Sequence, residues 1–352
     1  MTSSAAELEI DLTAIVANWQ DLCRRHPSGP VAGVVKADAY GLGAERVAPA
    51  LGAAGCRQFF VAHLQEALAI RTLVPDAMVA VLNGLWPGDA PVYAEHGILP
   101  VLGSLAEVEA WTGPAILHLD TGMNRLGLSP SELDVLTTRP DLLRRLELRW
   151  IMTHLVSSEV PDDPANGAQR RRFTEACARL PAAPRSFANS SGLFLGSDFG
   201  SDLARPGAAL YGINPTPGRP NPMRPVIRLR ARILHVREVL AGEGVGYNET
   251  WTARRRSRIG TVSVGYADGF PRALSNRAVA CFDGRRVPLV GRVSMDLTTF
   301  DLTDEPGCGA GDWLELIGPG LPVDEVAERA GTNGYEILTS LGRRYHRTYL
   351  GA

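Results

Sequence analysis

Apolar residues along this chain fall into short runs separated by amphipathic stretches, and the texture of the pattern changes once. Between residues 30 and 212 the runs are 31–35, 58–62, 78–82, 99–102, 115–119, 148–153, 185–188 and 202–205, several of them continuous rather than alternating. Unbroken Val, Ile, Leu and Phe runs suit parallel strands covered on both faces. Stretches 45–54, 64–73, 105–111, 130–136 and 169–180 lie between them, with apolar positions at helical spacing. Ser129-Pro130, with Glu132 three residues after the serine, reads as a capped helix start. Eight strand runs with crossover helices predict an α/β fold, a (β/α)8 TIM-type barrel. A doubly wound sheet produces the same order of elements.

Residues 214–225 hold five prolines, which remove donors and fix φ, so this stretch reads as an extended connection. Beyond it, 226–239, 259–265, 278–282, 287–293, 297–302 and 313–317 look like strands joined by tight turns such as Asp283-Gly284. The expected organisation is therefore a barrel over 1–220 and a mainly β domain over 221–352. At 352 residues, 45% of them hydrophobic, the chain can bury two such cores.

A formal net charge of −2 gives no electrostatic case for nucleic acid or an anionic membrane, and Arg254-Arg255-Arg256 reads as a solvated loop. Five dispersed cysteines without C-x-x-C spacing argue against a disulfide framework or a zinc site and fit a reducing compartment. No basic and apolar leader opens the chain, and no apolar run approaches the roughly 18 residues of a membrane span, so a cytoplasmic protein is expected.

The first strand run ends in Lys36 and continues Ala-Asp-Ala-Tyr40-Gly41-Leu-Gly43. Strand C-terminal ends face the active site of a barrel. A lysine there, once desolvated, can lose its proton and form a Schiff base; a strand-end lysine reaching to solvent fits the same sequence. Other predicted strand ends carry Asp120 to Arg125, His154, Asn189-Ser190-Ser191 and Arg205-Pro-Gly207-Ala208. Loops after the last two strands form the usual phosphate cradle of this fold. A lysine beside such a cradle is the minimum for pyridoxal phosphate, and a barrel that binds a sugar phosphate meets the same description.

Val-Val-Lys36-Ala-Asp-Ala-Tyr40-Gly-Leu-Gly43 resembles the cofactor-lysine signature of the alanine racemases. The resemblance continues through His118-Leu-Asp120-Thr-Gly-Met-Asn-Arg125-Leu-Gly, Ala188-Asn-Ser-Ser-Gly, Arg205-Pro-Gly, Gly265-Tyr266-Ala-Asp-Gly-Phe270, Gly291-Arg-Val-Ser-Met295-Asp296 and Asn333-Gly-Tyr335-Glu336, in the family's order and over nearly the whole chain. It implies a pyridoxal-phosphate isomerase that interconverts L- and D-alanine and supplies D-alanine for peptidoglycan. It also implies a homodimer with shared active sites, in which the β domain of one subunit completes the barrel site of the other.

Residue by residue, the resemblance makes Lys36 the cofactor lysine and one base, and the partner's Tyr266 the second base on the opposite face. Arg205 then faces the pyridine nitrogen without protonating it, with His154 either supporting it or a satisfied core histidine. Arg125 binds the cofactor's phenolic oxygen and the substrate carboxylate, although a surface ion pair is its plainer reading. Tyr40, Ser190, Gly207 and Ala208 hold the phosphate, Leu82 and Asn189 complete the cofactor site, and the partner's Met295 lies over the substrate. No metal is implied. The chain departs from the family in four places: His118 stands where a lysine, commonly carbamylated, is usual; Ser294 replaces a cysteine; Arg343 stands at the C-terminal phosphate-clamping tyrosine, with Tyr345 nearby; and Tyr247-Asn248-Glu-Thr250 replaces a Tyr-Gly-x-Thr segment. A broad-specificity racemase of serine, lysine or arginine, or a same-fold decarboxylase, remains a rival, though Arg205 and Tyr266 count against the decarboxylase.

Overall fold

The computed structural model describes residues 5–351. Two compact units result: Ile15–Arg224, and the chain beyond Arg224 together with the N-terminal segment that precedes Ile15. The opening strand β1 (Ala6–Asp11) belongs to the second unit. The amphipathic helix α1 (Leu12–Arg25) leads into the first.

In the first unit, β2 (Gly33–Val34) runs into a short left-handed helix, α2 (Lys36–Gly41), and then α3 (Ala44–Ala53). Strand and helix alternate from there: β3 (Gln58–Val61), α4 (Leu64–Arg71), β4 (Met78–Val81), α5 (Ala90–His96), β5 (Leu99–Leu102), α6 (Leu105–Ala110) and β6 (Gly113–His118). The unit ends with α7 (Pro130–Thr137), α8 (Pro140–Arg145), β7 (Leu146–Met152), α9 (Pro164–Cys177) and β8 (Arg185–Ser186). The seven strands pair in sequence order and all in parallel. The expected eighth strand is reduced to two bridges, Leu203 to Ser186 and Ala204 to Val31, which join the two edges and close the ring. Val34, Phe60, Ala80, Val101, Ile116, Met152 and Leu203 point into one cluster, a layer of side chains that fills the barrel as in other closed parallel barrels.

The second unit is built around the 13-residue strand β9 (Ile227–Val239). The hairpin β10 (Gly244–Val245) and β11 (Trp251–Thr252) follows, then β12 (Ser257–Val262), β13 (Val279–Phe282), β14 (Arg285–Pro288), β15 (Thr298–Asp301) and β16 (Trp313–Ile317). The chain finishes with α10 (Val323–Ala330), α11 (Gly334–Ser340) and β17 (His346–Leu350). The first half of β9 pairs with β1 and β16 and the second half with β12. The Asp283-Gly284 turn has φ of 46° and 81°, the pair of positive values that lets a two-residue loop follow strand twist.

Not all of the stretch 1–220, expected from sequence as barrel, belongs to it. β1 instead pairs antiparallel with β9 and parallel with β17. Its alternation, with Ala6, Leu8 and Ile10 inward and Glu7 and Glu9 outward, is that of a strand with one covered face.

Candidate active site

Lys36 stands immediately beyond β2, where the backbone turns left-handed. Ala37, Asp38, Ala39 and Tyr40 all have φ between 53° and 56°. For L-residues with a Cβ this conformation costs roughly 1–2 kcal/mol each, so tertiary contacts must hold it. The contacts are visible. Ala39 N–H donates to the Val35 carbonyl at 2.9 Å, and Gly43 N–H to the Asp38 carbonyl at 2.9 Å. Ala44 N–H donates to Asp38 Oδ1 at 2.7 Å, and Ala37 N–H to Glu66 Oε1 at 2.7 Å. The Tyr40 ring stacks on Tyr211 at 4.7 Å between centroids, and the Tyr211 hydroxyl donates to the Val34 carbonyl. The turn thereby directs Lys36 to the C-terminal rim. Burial, and then the positive charge of Arg125, bring the Lys36 amine below the usual lysine range, with Glu66 opposing.

Arg205, just past the bridging residues, is buried at 5% exposure. It donates to the Thr153 carbonyl at 2.5 Å and to the Ser186 hydroxyl. None of its partners is a carboxylate, and burial draws its pKa down to about 10. Two histidines at the strand ends share this environment. Burial and the charge of Arg205 lower His118 to about 4 and His154 to about 3, so both are neutral near pH 7. His118 Nε2 is buried without a hydrogen-bond partner. Asp120 accepts from Gly122 and Asn124 N–H groups, folding the loop that carries the exposed Arg125. Gln169 ties that loop to the next one, donating to Thr121 Oγ1 and to the His154 carbonyl.

The loops after β8 and after the bridging pair meet at Ser190. Its hydroxyl oxygen accepts from Gly207 N–H at 3.0 Å and Ala209 N–H at 3.2 Å, which leaves its O–H to donate elsewhere. Asn189 is turned to the scaffold: its Oδ1 accepts from Ser158 and from Gly192 N–H. Gly207 is required sterically, because a Cβ there would stand 2.2 Å from the Tyr40 hydroxyl oxygen. Leu82 and Tyr40 pack on the interior cluster. Lys36, Tyr40, Leu82, Arg125, His154, Asn189, Ser190, Arg205, Gly207 and Ala208 are thus all carried by the first unit, at strand ends or the loops that follow them.

The second unit carries Tyr266, Met295 and Arg343. Tyr266 opens a 3-10 turn whose N–H donates to the Ser294 carbonyl, and Ala267 N–H donates to the Met295 carbonyl, so the two segments are clamped together. Gly265 permits the clamp: a Cβ there would meet the Ser294 and Met295 oxygens at 2.3 and 2.4 Å. Tyr266 is 44% and Met295 54% exposed. Buried Asp268 accepts from Gly265 N–H and pairs at 2.6 Å with Arg344, which also reaches Asp296. Arg343 is exposed, whereas Tyr345 is buried with an unpartnered hydroxyl.

Sequence reasoning did not find Thr153, Ser186, Tyr211, Glu66 or the Asp268–Arg344 brace. Of these only Glu66 left a signal, its spacing of three from His63 at the start of a helix.

A family model described as the alanine racemase N-terminal domain matches residues 10–215, and one for the C-terminal domain matches 226–349. An alanine racemase of Acidiphilium cryptum is 59% identical over 348 residues, covering 97% of each chain. One from Methylobacterium sp. is 51% identical over 98% of each. A crystal structure of alanine racemase from Bartonella henselae with covalently bound pyridoxal phosphate superposes with a TM-score of 0.96 at 43% identity, over 99% of this chain and all of that one.

Proposed function

The chain belongs to the alanine racemase family, and from that premise we infer that Lys36 and Tyr266 are the two groups that exchange the α-proton of alanine. The activity is the interconversion of L- and D-alanine with pyridoxal 5'-phosphate as cofactor.

The barrel rim suits that cofactor. Arg205 is a buried cation with no carboxylate partner, so it favours an electron-rich acceptor beside it. Tyr40 and Ser190 bring hydroxyls to the segment where Gly207 has no side chain and Ala208 opens a 3-10 turn, a donor set for a phosphate. The cofactor, when bound, acidifies the α-carbon by drawing its electrons into a conjugated ring.

The residues then divide the work. Lys36, whose amine burial and Arg125 draw below the usual lysine range, gives up its proton more readily than a solvated lysine and is the base at Nζ. Tyr266 Oη supplies the opposite face, because one fixed base tends to return a proton where it took it. Arg205 donates hydrogen bonds and keeps its own protons, so it orients the ring nitrogen without protonating it. His154, held neutral beside Arg205, adds no charge there. Arg125 receives the substrate carboxylate, and Met295 covers the substrate. Leu82 and Asn189 shape the cofactor site, and Arg343 completes the phosphate clamp.

Tyr266 and Met295 are exposed in their own unit, which supports their use by a second subunit of a homodimer with shared sites. Five free thiols support a reducing, cytoplasmic location, and D-alanine made there serves peptidoglycan synthesis. No helix among the described residues is long and apolar enough to cross a membrane. The observation that carries the site assignment is Lys36 at the strand end, one turn from Tyr40 and the Ser190–Gly207 contact. Borohydride reduction of the holoenzyme followed by peptide mapping tests it: the phosphopyridoxyl label is expected on Lys36, and a label on any other lysine refutes the site.

A further inference from the structure

The first turns of three barrel helices share a construction. In each, the third residue is a glutamate whose carboxylate spans two loops. Glu66 of α4 accepts from Ala62 and His63 N–H in its own loop through Oε2 (2.7 and 3.1 Å). Through Oε1 it accepts from Ala37 N–H in the preceding loop. Glu107 of α6 takes Gly103 N–H at 2.5 Å and reaches back to Leu85 N–H at 3.3 Å. Glu132 of α7 takes Ser129 N–H at 2.9 Å and reaches back to Leu105 N–H at 3.1 Å. A capping glutamate normally serves only its own helix. Here the second oxygen fastens each loop to the one before it.

Of the three, Glu66 fastens the loop with a run of four left-handed residues. Ala37 is the residue after Lys36 and the first of the four left-handed residues. Its N–H points to a side chain 29 residues away rather than to the turn itself. A carboxylate is needed for this: a carboxamide has one accepting oxygen and would turn an NH2 group toward one of the two sets of N–H donors.

We propose that Glu66 is a positioning residue for Lys36, holding the left-handed turn so that the amine is presented at the rim. The proposal rests on Lys36 being the cofactor lysine. Its carboxylate also lies close enough to favour the protonated amine, against the effect of burial and Arg125.

The test compares Glu66→Gln with Glu107→Gln, which loses the same kind of bridge between loops that carry neither Lys36 nor Arg125. With holoenzyme, Glu66→Gln is expected to lower kcat between about ten- and a hundredfold, through a displaced nucleophile, with little change in KM for alanine. Glu107→Gln is expected to keep both. With apoenzyme and added pyridoxal phosphate, the pH profile of covalent capture should move to lower pH in Glu66→Gln, because the counter-charge of the ammonium is gone, and stay in place in Glu107→Gln. Amide exchange gives a reading on the unaltered protein: Ala37, an exposed residue, should be protected in the wild type and unprotected in Glu66→Gln. An unprotected Ala37 amide in the wild type overturns the proposal even if Glu66→Gln does not fold. So do equal kcat and equal capture profiles for the two variants, with borohydride label on Lys36 in each. A wild-type label away from Lys36 removes the site assignment and the proposal together.

Discussion

The two units treat the side chains proposed for the site in opposite ways. Apart from the exposed Arg125, the barrel hides its site charges: Arg205 is 5% exposed, Lys36 is desolvated, and two histidines are kept neutral by burial and by Arg205. The β unit displays its own, with Tyr266 at 44% and Met295 at 54% exposure on a turn clamped by backbone bonds and braced by Asp268 and Arg344. In the barrel, then, changing a site residue disturbs folding electrostatics as well as chemistry. In the β unit the same kind of change disturbs chemistry almost alone.

That contrast is sharpest at Tyr266. Tyr266→Phe should lower turnover about 10²–10⁴-fold, with exchange of the L-alanine α-proton in deuterated water hit harder than that of D-alanine. Its unfolding free energy should stay within about 0.5 kcal/mol of wild type, since an exposed hydroxyl is removed. Mixed with inactive Lys36→Ala subunits, it should recover toward about a quarter of wild-type activity, because only hybrid dimers hold one intact site. Absence of recovery after proven subunit exchange would falsify the shared site.

Arg205→Met probes the buried side of the contrast. It leaves the Thr153 carbonyl and Ser186 hydroxyl without their donor and should destabilise apoprotein by about 1–3 kcal/mol in urea titration. An Arg205 variant as stable as wild type would erase the distinction between the units.

The histidines give the same contrast a pH signature. In unfolded chains histidine takes a proton near pH 6.5, whereas folded His118 resists until about 4. Between those values the unfolded state binds more protons. The contribution is therefore full above about pH 6.5 and is lost as pH falls toward 4, by on the order of 3 kcal/mol. Urea midpoints of His118→Asn should fall less steeply with acid than those of wild type; parallel slopes would show that His118 is not held neutral.

The smallest effect is expected at Asp268→Asn, which weakens an ion pair to the half-exposed Arg344 and keeps one acceptor for Gly265 N–H. Stability should drop by about 1 kcal/mol or less. Turnover should fall severalfold through a loosened Tyr266 turn, measured in the same racemisation assay.

Strand positions were the most legible part of this molecule, because continuous apolar runs and strand-end polar residues are written directly in the chain. The run at 78–82 contains β4 and the one at 313–317 is β16. The eighth strand was overestimated: Asp202 and Arg205 flank a pair of residues that only bridge, and both flanking side chains bond to β8, Asp202 to Arg185 N–H and Arg205 to the Ser186 hydroxyl. α1 was not recognised although Leu12, Ile15, Trp19 and Leu22 are spaced as one buried stripe. The α9 start fell five residues upstream of the expected one, at Asp163-Pro164, where Asp163 caps the helix. The left-handed turn could not be read at all. Ala-Asp-Ala-Tyr has no preference for positive φ, and Glu66, Asp38 and Tyr211, distant in sequence or bonded across the turn, impose it. Nor could the chain order reveal that Tyr345 is buried and Arg343 exposed, because both sit in one short polar segment after α11.

That turn has a further consequence. From Ala37 to Tyr40 the main chain adopts the mirror image of the ordinary helical shape. Mirror-image shapes are the relaxed ones for mirror-image amino acids. A polypeptide assembled chemically with a D-residue at exposed position 37 would settle into this bend without tension. A catalyst that makes D-alanine thus carries, beside the amine proposed to hold its cofactor, a stretch of backbone whose handedness is that of its own product.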